Sequence, residues 1–173
     1  MIYATYYNSP LGDILLASDK KSLTGLWFVG QKYYPPVMEE ESVNNSDMPL
    51  FKTVSQWLEA YFASKNPNLA DLPLDPYGGE FRQSVWRQLL SIPYGQVMTY
   101  GAIARQVGCK SAQAVGGAVG HNQISIIIPC HRVIGSGGNL TGYAGGIDRK
   151  LKLLELEGID ISTLKRPSKG TAL

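Results

Sequence analysis

The chain has 173 residues with 44% hydrophobic content, enough for one mid-sized domain or two small lobes. No apolar run approaches the ~20 residues needed to span a bilayer, and Met1-Ile2-Tyr3-Ala4-Thr5-Tyr6 lacks the basic region and apolar core of a secretory signal. The net charge of +2 conceals an asymmetry, since residues 1–80 carry a balance of −5 and residues 81–158 a balance of +5. Such segregation favours an anionic partner for the second half.

The first half reads as a meander of strands, Tyr3 to Tyr7, Asp13 to Ser18 and Leu23 to Val29. Ser9-Pro10-Leu11-Gly12 reads as a turn. Residues 31–47 read as an irregular acidic loop. From Leu50 to Ala63, Phe51, Val54, Trp57, Leu58, Tyr61 and Phe62 recur at helical spacing. Asn66 to Glu80 is rich in Pro, Gly and Asp and reads as a connector. These signals predict a first lobe over 1–75 and a second over 76–160.

The second lobe opens with a helix from Phe81 to Leu90, with Phe81, Val85, Trp86 and Leu89 on one face. Ile92-Pro93-Tyr94-Gly95 stops it. Thr99 is placed to cap a helix from Tyr100 to Val107, and Ser111 a second from Ala112 to about Gly120. With Gly108-Cys109-Lys110 between them they form a helix-turn-helix pattern. The second helix holds Gly116, Gly117 and Gly120. Each costs about 1 kcal/mol relative to alanine, so close approach of protein or nucleic acid must offset the loss.

Ile124 to Ile128 is the most apolar stretch and reads as a short buried strand, ended by Pro129. Cys130 then stands at the mouth of a strand with His131 beside it, a pairing that can stabilise a thiolate. Only two cysteines occur, Cys109 and Cys130. Two free thiols suit a reducing cytoplasm. With His121 and His131 they lack a paired Cys-x-x-Cys knuckle, so no metal site is expected. The Gly-rich stretch from Gly135 to Gly146 lacks a dinucleotide or P-loop spacing and reads as a loop lining a site. Ile147 to about Glu157 reads as a final helix with Leu151, Leu154 and Glu155 spaced for packing. Gly158 ends it, and residues 161–173 read as a flexible tail.

Ile128-Pro129-Cys130-His131-Arg132-Val133 resembles the signature of the methylated-DNA–protein-cysteine methyltransferases, the O6-alkylguanine-DNA alkyltransferases. Several other motifs fall in family order: Phe81-x-x-x-Val85-Trp86, Ile92-Pro93-Tyr94-Gly95, Thr99-Tyr100-Gly101-x-Ile103-Ala104, Ala114-Val115-Gly116-Gly117-Ala118, Asn122, and Thr141-Gly142-Tyr143-x-Gly145-Gly146. The resemblance implies an α+β chain. Its first lobe would be a small antiparallel sheet with a helix, ribonuclease H-like. Its second would be a mostly helical winged helix-turn-helix lobe carrying the reactive cysteine. It implies stoichiometric transfer of an alkyl group from O6-alkylguanine, and from O4-alkylthymine, in DNA to Cys130, without cofactor.

By the same resemblance His131 is the base, acting through a bridging water, and Glu157 orients it. Asn122 links the recognition helix to the active-site segment, and Tyr143 donates a hydrogen bond to the leaving base. Tyr100, Val133, Tyr143 and Ala144 would form the base pocket. Tyr100, Lys110, Ser111, Ala112, Gln113, Gly116 and Arg132 would meet DNA from the minor groove, with the damaged nucleotide flipped out. The expected partner is alkylated double-stranded DNA, with no membrane, and the protein is expected to act as a monomer. Gln113 stands where many members carry an arginine, and Gln123 and Ser125 where two prolines are common. A Cys-His hydrolase is disfavoured by the direct Cys-His adjacency. A lesion-binding relative that performs no repair is the alternative, and such relatives lack the acceptor cysteine.

Overall fold

A computed structural model describes residues 1–35 and 41–167. Its contacts divide the chain into two compact units. One is Met1–Tyr77 with Gln123–Ser125, and the other is Gly78–Asn122 with the chain from Ile126 onward.

In the first unit β1 (Tyr3–Ser9), β2 (Gly12–Ser18) and β3 (Leu23–Phe28) form the expected antiparallel meander. The Ser9 hydroxyl closes the β1–β2 turn by accepting from Leu11 N at 3.1 Å and donating to Gly12 O at 2.5 Å. The meander is not the whole sheet. β4 (Val43–Asn44) pairs parallel with β1, giving the order β3-β2-β1-β4. Sequence reading placed those residues in an acidic loop, because two exposed residues carry no alternation; residues 36–40 of that loop lie outside the described residues. β2 is central and buried from Ile14 to Ser18. Helix α1 (Pro49–Phe62) buries Phe51, Val54, Trp57, Leu58 and Tyr61 and packs against β1.

The second unit is mostly helical. Helix α2 (Glu80–Leu90) buries Val85, Trp86 and Leu89, but Phe81 is exposed, contrary to its expected place on that face. Helices α3 (Tyr100–Val107) and α4 (Ala112–Gly120) form the helix-turn-helix. Each has its predicted cap, Thr99 Oγ1 accepting from Ala102 N and Ser111 Oγ from Ala114 N, both at 3.1 Å. Gly108 ends α3 at φ +67, a conformation that favours glycine. Trp86 Nε1 donates to Ala118 O at 2.8 Å and fastens α2 to α4. β5 (Met98–Thr99) and β6 (Val133–Ile134) pair in parallel. Helix α5 (Ile147–Leu156) buries Lys150, Leu153 and Leu154. Leu151 is only half-buried and Glu155 is exposed, so the packing stripe differs from the expected one.

Two further expectations fail. Ile124 to Ile128 is buried but is no strand. Gln123–Ser125 pairs with Leu26 of β3, through Leu26 N to Gln123 O and Ser125 N to Leu26 O at 2.9 Å each, and belongs to the first unit. The chain then turns, with Ile126 at φ +70, a strained setting for a β-branched residue. Ser125 donates a bond that proline could not make, which gives its presence a local reason. The segment after 160 is not loose throughout either. Leu140 N donates to Lys165 O at 2.9 Å, Lys165 N to Gly138 O at 2.8 Å, and Arg166 pairs with Asp148 at 2.9 Å. Residues 168–173 of the expected tail lie outside the described residues.

Candidate active site

Cys130–Arg132 forms a single 3₁₀ turn between Pro129 and β6. The turn, not a strand mouth, presents the cysteine. Cys130 is 4% exposed, His131 0%, Asn122 3%, Tyr143 8% and Glu157 4%. Burial pushes the Cys130 thiol up, while contacts with Asn122 and Tyr143 and the charge of Lys150 pull it down. The thiol therefore rests as a neutral acid and needs a base to become a nucleophile.

His131 Nε2 meets Glu157 Oε2 at 2.5 Å, both fully buried. Burial lowers the His131 pKa, the hydrogen bond and charge of Glu157 raise it, and Arg132 and Lys150 lower it. The net direction is down, so His131 is neutral near neutral pH and competent as a base. Glu157 is the C-cap of α5, one turn beyond Leu153 on its buried face. Asn122, at the foot of α4, donates from Nδ2 to Ile128 O at 2.7 Å and so fixes the segment leading to Cys130. The Tyr143 hydroxyl is buried without an oxygen or nitrogen partner among the described residues and lies beside the thiol. Burial raises its pKa well above the usual tyrosine value, so it stays a donor.

The remaining expected residues fall into two groups. Val133 lies buried in β6, Ala144 is half-buried, and the Tyr100 hydroxyl stands 3.1 Å from that of Thr141. Of these, Tyr100 lies close enough to feel the charge of Cys130, while Val133 follows the Cys130–Arg132 turn and Ala144 follows Tyr143 in the chain. Lys110, Ser111, Ala112 and Gln113 are exposed at the turn and first turn of α4, and Gly116 is half-buried. A Cβ on Gly117 would meet nothing within 4 Å, and one on Gly116 only Tyr100 Cε1 at 4.0 Å. Packing inside the protein thus does not demand these glycines. Arg132, expected among the residues that meet DNA, is engaged inside the unit instead. Its Nε donates to Glu157 Oε1 at 2.7 Å, its Nη1 to Ile92 O at 2.7 Å, and its guanidinium lies over the Tyr94 ring at 5.7 Å.

Sequence reading missed Lys150. It is fully buried and its Nζ donates to Val133 O at 2.6 Å, Leu140 O at 2.7 Å and Gly142 O at 3.2 Å. It thereby ties β6 to the glycine-rich loop that carries Tyr143. Burial lowers its pKa from 10.5 to about 8. The signal was available, because Lys150, Leu153, Leu154 and Glu157 repeat at the spacing of a buried helix stripe. Among the described residues no group of three or more His, Cys, Asp or Glu could hold a metal ion, and no helix is long and apolar enough to cross a membrane.

A buried thiol with a carboxylate-held histidine, set in one unit with an exposed helix-turn-helix, defines a DNA-binding protein class with a cysteine nucleophile. Comparisons narrow the class. Residues 80–159 match the 6-O-methylguanine DNA methyltransferase DNA binding domain, and residues 2–76 the ribonuclease-like domain of the same protein. The methylated-DNA–protein-cysteine methyltransferase of Mycobacterium leprae is 46% identical over 164 residues, 94% of this chain and 96% of that protein. The crystal structure of Mycobacterium tuberculosis O6-methylguanine methyltransferase superposes with a TM-score of 0.82 at 43% identity, covering 98% of this chain and 97% of that one. Mycobacterium tuberculosis OGT in complex with DNA gives 0.82 at 44%, covering 94% of each chain. The chain belongs to the methylated-DNA–protein-cysteine methyltransferase family.

Proposed function

We propose that this protein repairs DNA by moving the alkyl group of O6-alkylguanine, and of O4-alkylthymine, onto the sulfur of Cys130 in one irreversible turnover. The observation that carries this reading is the buried, neutral Cys130 thiol next to His131, whose Nε2 is held 2.5 Å from Glu157. With Nε2 committed to Glu157, the thiol proton passes through a bridging water to Nδ1. The thiolate attacks the alkyl carbon, the S–C bond forms, and the C–O6 bond breaks with its electron pair going to guanine. Glu157 stabilises the imidazolium, as the acid does in a catalytic triad. Tyr143 donates to the departing base, where negative charge develops. The product is a thioether, a poor leaving group, so the protein is consumed and no cofactor is needed.

Double-stranded DNA is the partner. The exposed first turn of α4, followed by the half-buried Gly116 and Gly117, suits close approach along a minor groove. Tyr100, Lys110, Ser111, Ala112, Gln113 and Gly116 form that face, and Arg132 leaves it. The target nucleotide must leave the stack to reach Cys130. Gln113 fills the vacated stack without adding charge, and Val133, Ala144 and Tyr100 line the pocket. We place the protein in the cytoplasm as a monomer, consistent with two free thiols. The lesion-binding alternative is disfavoured because the acceptor cysteine is present. Transfer from an excess of labelled O6-methylguanine duplex tests the reading. Transfer should saturate at one methyl per protein; continued turnover would refute the suicide mechanism.

A further inference from the structure

The Ile92-Pro93-Tyr94-Gly95 motif and Arg132 have no role in the reaction just described, yet both converge on Glu157. Glu157 Oε2 is spent on His131. Its Oε1 accepts from Arg132 Nε at 2.7 Å and from Gly95 N at 3.2 Å. Arg132 also donates to Ile92 O at 2.7 Å and lies over the Tyr94 ring, and the Tyr94 hydroxyl donates to Leu156 O at 3.3 Å. Gly95 has φ +77, and a Cβ there would stand 3.1 Å from Glu157 O. The end of α5 comes close to this turn, so a side chain at Gly95 would be crowded as well as strained by the positive φ.

We infer that Arg132, seated on the Ile92–Gly95 turn, is a positioning residue that keeps Glu157 ionised and thereby keeps the proton of His131 on Nε2. The chemistry is that of a shared proton. A carboxylate taken out of water favours its neutral form. Were Glu157 protonated, it would donate to Nε2, and Nδ1 would carry the imidazole proton. His131 could then take nothing from Cys130. A guanidinium fixed on Oε1 opposes that state, because a charge-assisted bond to a carboxylate is lost when the carboxylate takes a proton. The other titratable and charged groups facing the pair are Cys130, Tyr143, Arg149 and Lys150, with Tyr94 across the guanidinium.

This inference rests on the proposed roles of His131 and Glu157, and its test separates the two. Single-turnover transfer is followed across pH for the parent, Arg132→Gln, Arg132→Lys, Glu157→Gln and the Arg132→Gln/Glu157→Gln double variant. Arg132→Gln should slow transfer at neutral pH by about tenfold and move the acid limb of the profile to higher pH. The direction follows because both Glu157 and His131 hold protons more tightly without the guanidinium. Arg132→Lys, which keeps the charge, should restore most of the limb's position. In the Glu157→Gln background, loss of Arg132 should cost nothing further. An equal loss in both backgrounds with an unmoved limb would make Arg132 merely structural and overturn the inference. A Glu157→Gln rate equal to the parent's would instead overturn the role of Glu157 and the inference with it. If Arg132→Gln does not fold, Arg132→Lys carries the test through the limb's position alone; a lysine profile displaced as far as that of Glu157→Gln counts against the charge.

Discussion

Replacing Lys150 by methionine tests the buried charge that sequence reading overlooked. The substitution keeps the length of the side chain and removes three donated bonds, to Val133 O, Leu140 O and Gly142 O. A buried acceptor left without its donor costs about 1–3 kcal/mol, or about 6 kcal/mol for three. The ammonium itself is held at a penalty. A pKa lowered from 10.5 to about 8 corresponds to about 3 kcal/mol against the charged form in the folded state. Removing the charge returns that amount, so Lys150→Met should destabilise the protein by about 3 kcal/mol near neutral pH.

The pH dependence of that difference is the sharper test. The folded lysine releases its proton near pH 8 and the unfolded one near 10.5. Between those values the unfolded state binds more protons, so the parent gains stability as pH rises. The gain is about 2 kcal/mol by about pH 9.5, and it is absent from the variant. Urea unfolding of both proteins at neutral and alkaline pH measures it. Making the comparison in a Cys130→Ala background removes the thiol whose own titration Lys150 shifts, and the difference then reports the lysine. The gap should widen with pH; a constant or shrinking gap would refute the buried-ammonium account.

Other perturbations probe the remaining links. Trp86→Phe removes the bond to Ala118 O that fastens α2 to α4, and should lower stability by about 1–2 kcal/mol in urea unfolding while leaving helix content intact. Ser111→Ala strips the cap of the recognition helix; it should cost about 1 kcal/mol in stability and weaken duplex binding in fluorescence anisotropy. Duplex affinity should fall steeply with added salt, and a flat response would remove the basic unit from the DNA surface. Gln113→Ala should slow repair of a paired O6-methylguanine more than of one in a single strand, and equal effects would deny Gln113 a part in flipping.

The sequence made the chemistry more legible than the geometry. Both caps and the tight turn at Gly108 follow from local sequence signals, whereas the grouping of Cys130, His131, Asn122, Tyr143 and Glu157 was an implication of the family resemblance alone. The failures have physical causes. Ile124 to Ile128 is apolar because it is buried, and burial alone does not distinguish a strand from a turn. β4 is too short to alternate. Arg132 was placed among the DNA-facing residues by the resemblance; its charge partner is a buried carboxylate inside the protein. Lys150 was passed over because the packing stripe was drawn through Leu151, Leu154 and Glu155, whereas the buried face runs through Lys150, Leu153 and Leu154. In each case the deciding information is a partner distant in sequence.

The most direct test of the central claim is the intact mass of the protein after mixing with duplex DNA carrying one O6-methylguanine. The account predicts one added methyl group, located on Cys130 by peptide mapping and absent from Cys130→Ala, which should still bind the duplex. An unchanged mass in folded, DNA-bound protein, or a methyl group on Cys109, would contradict it.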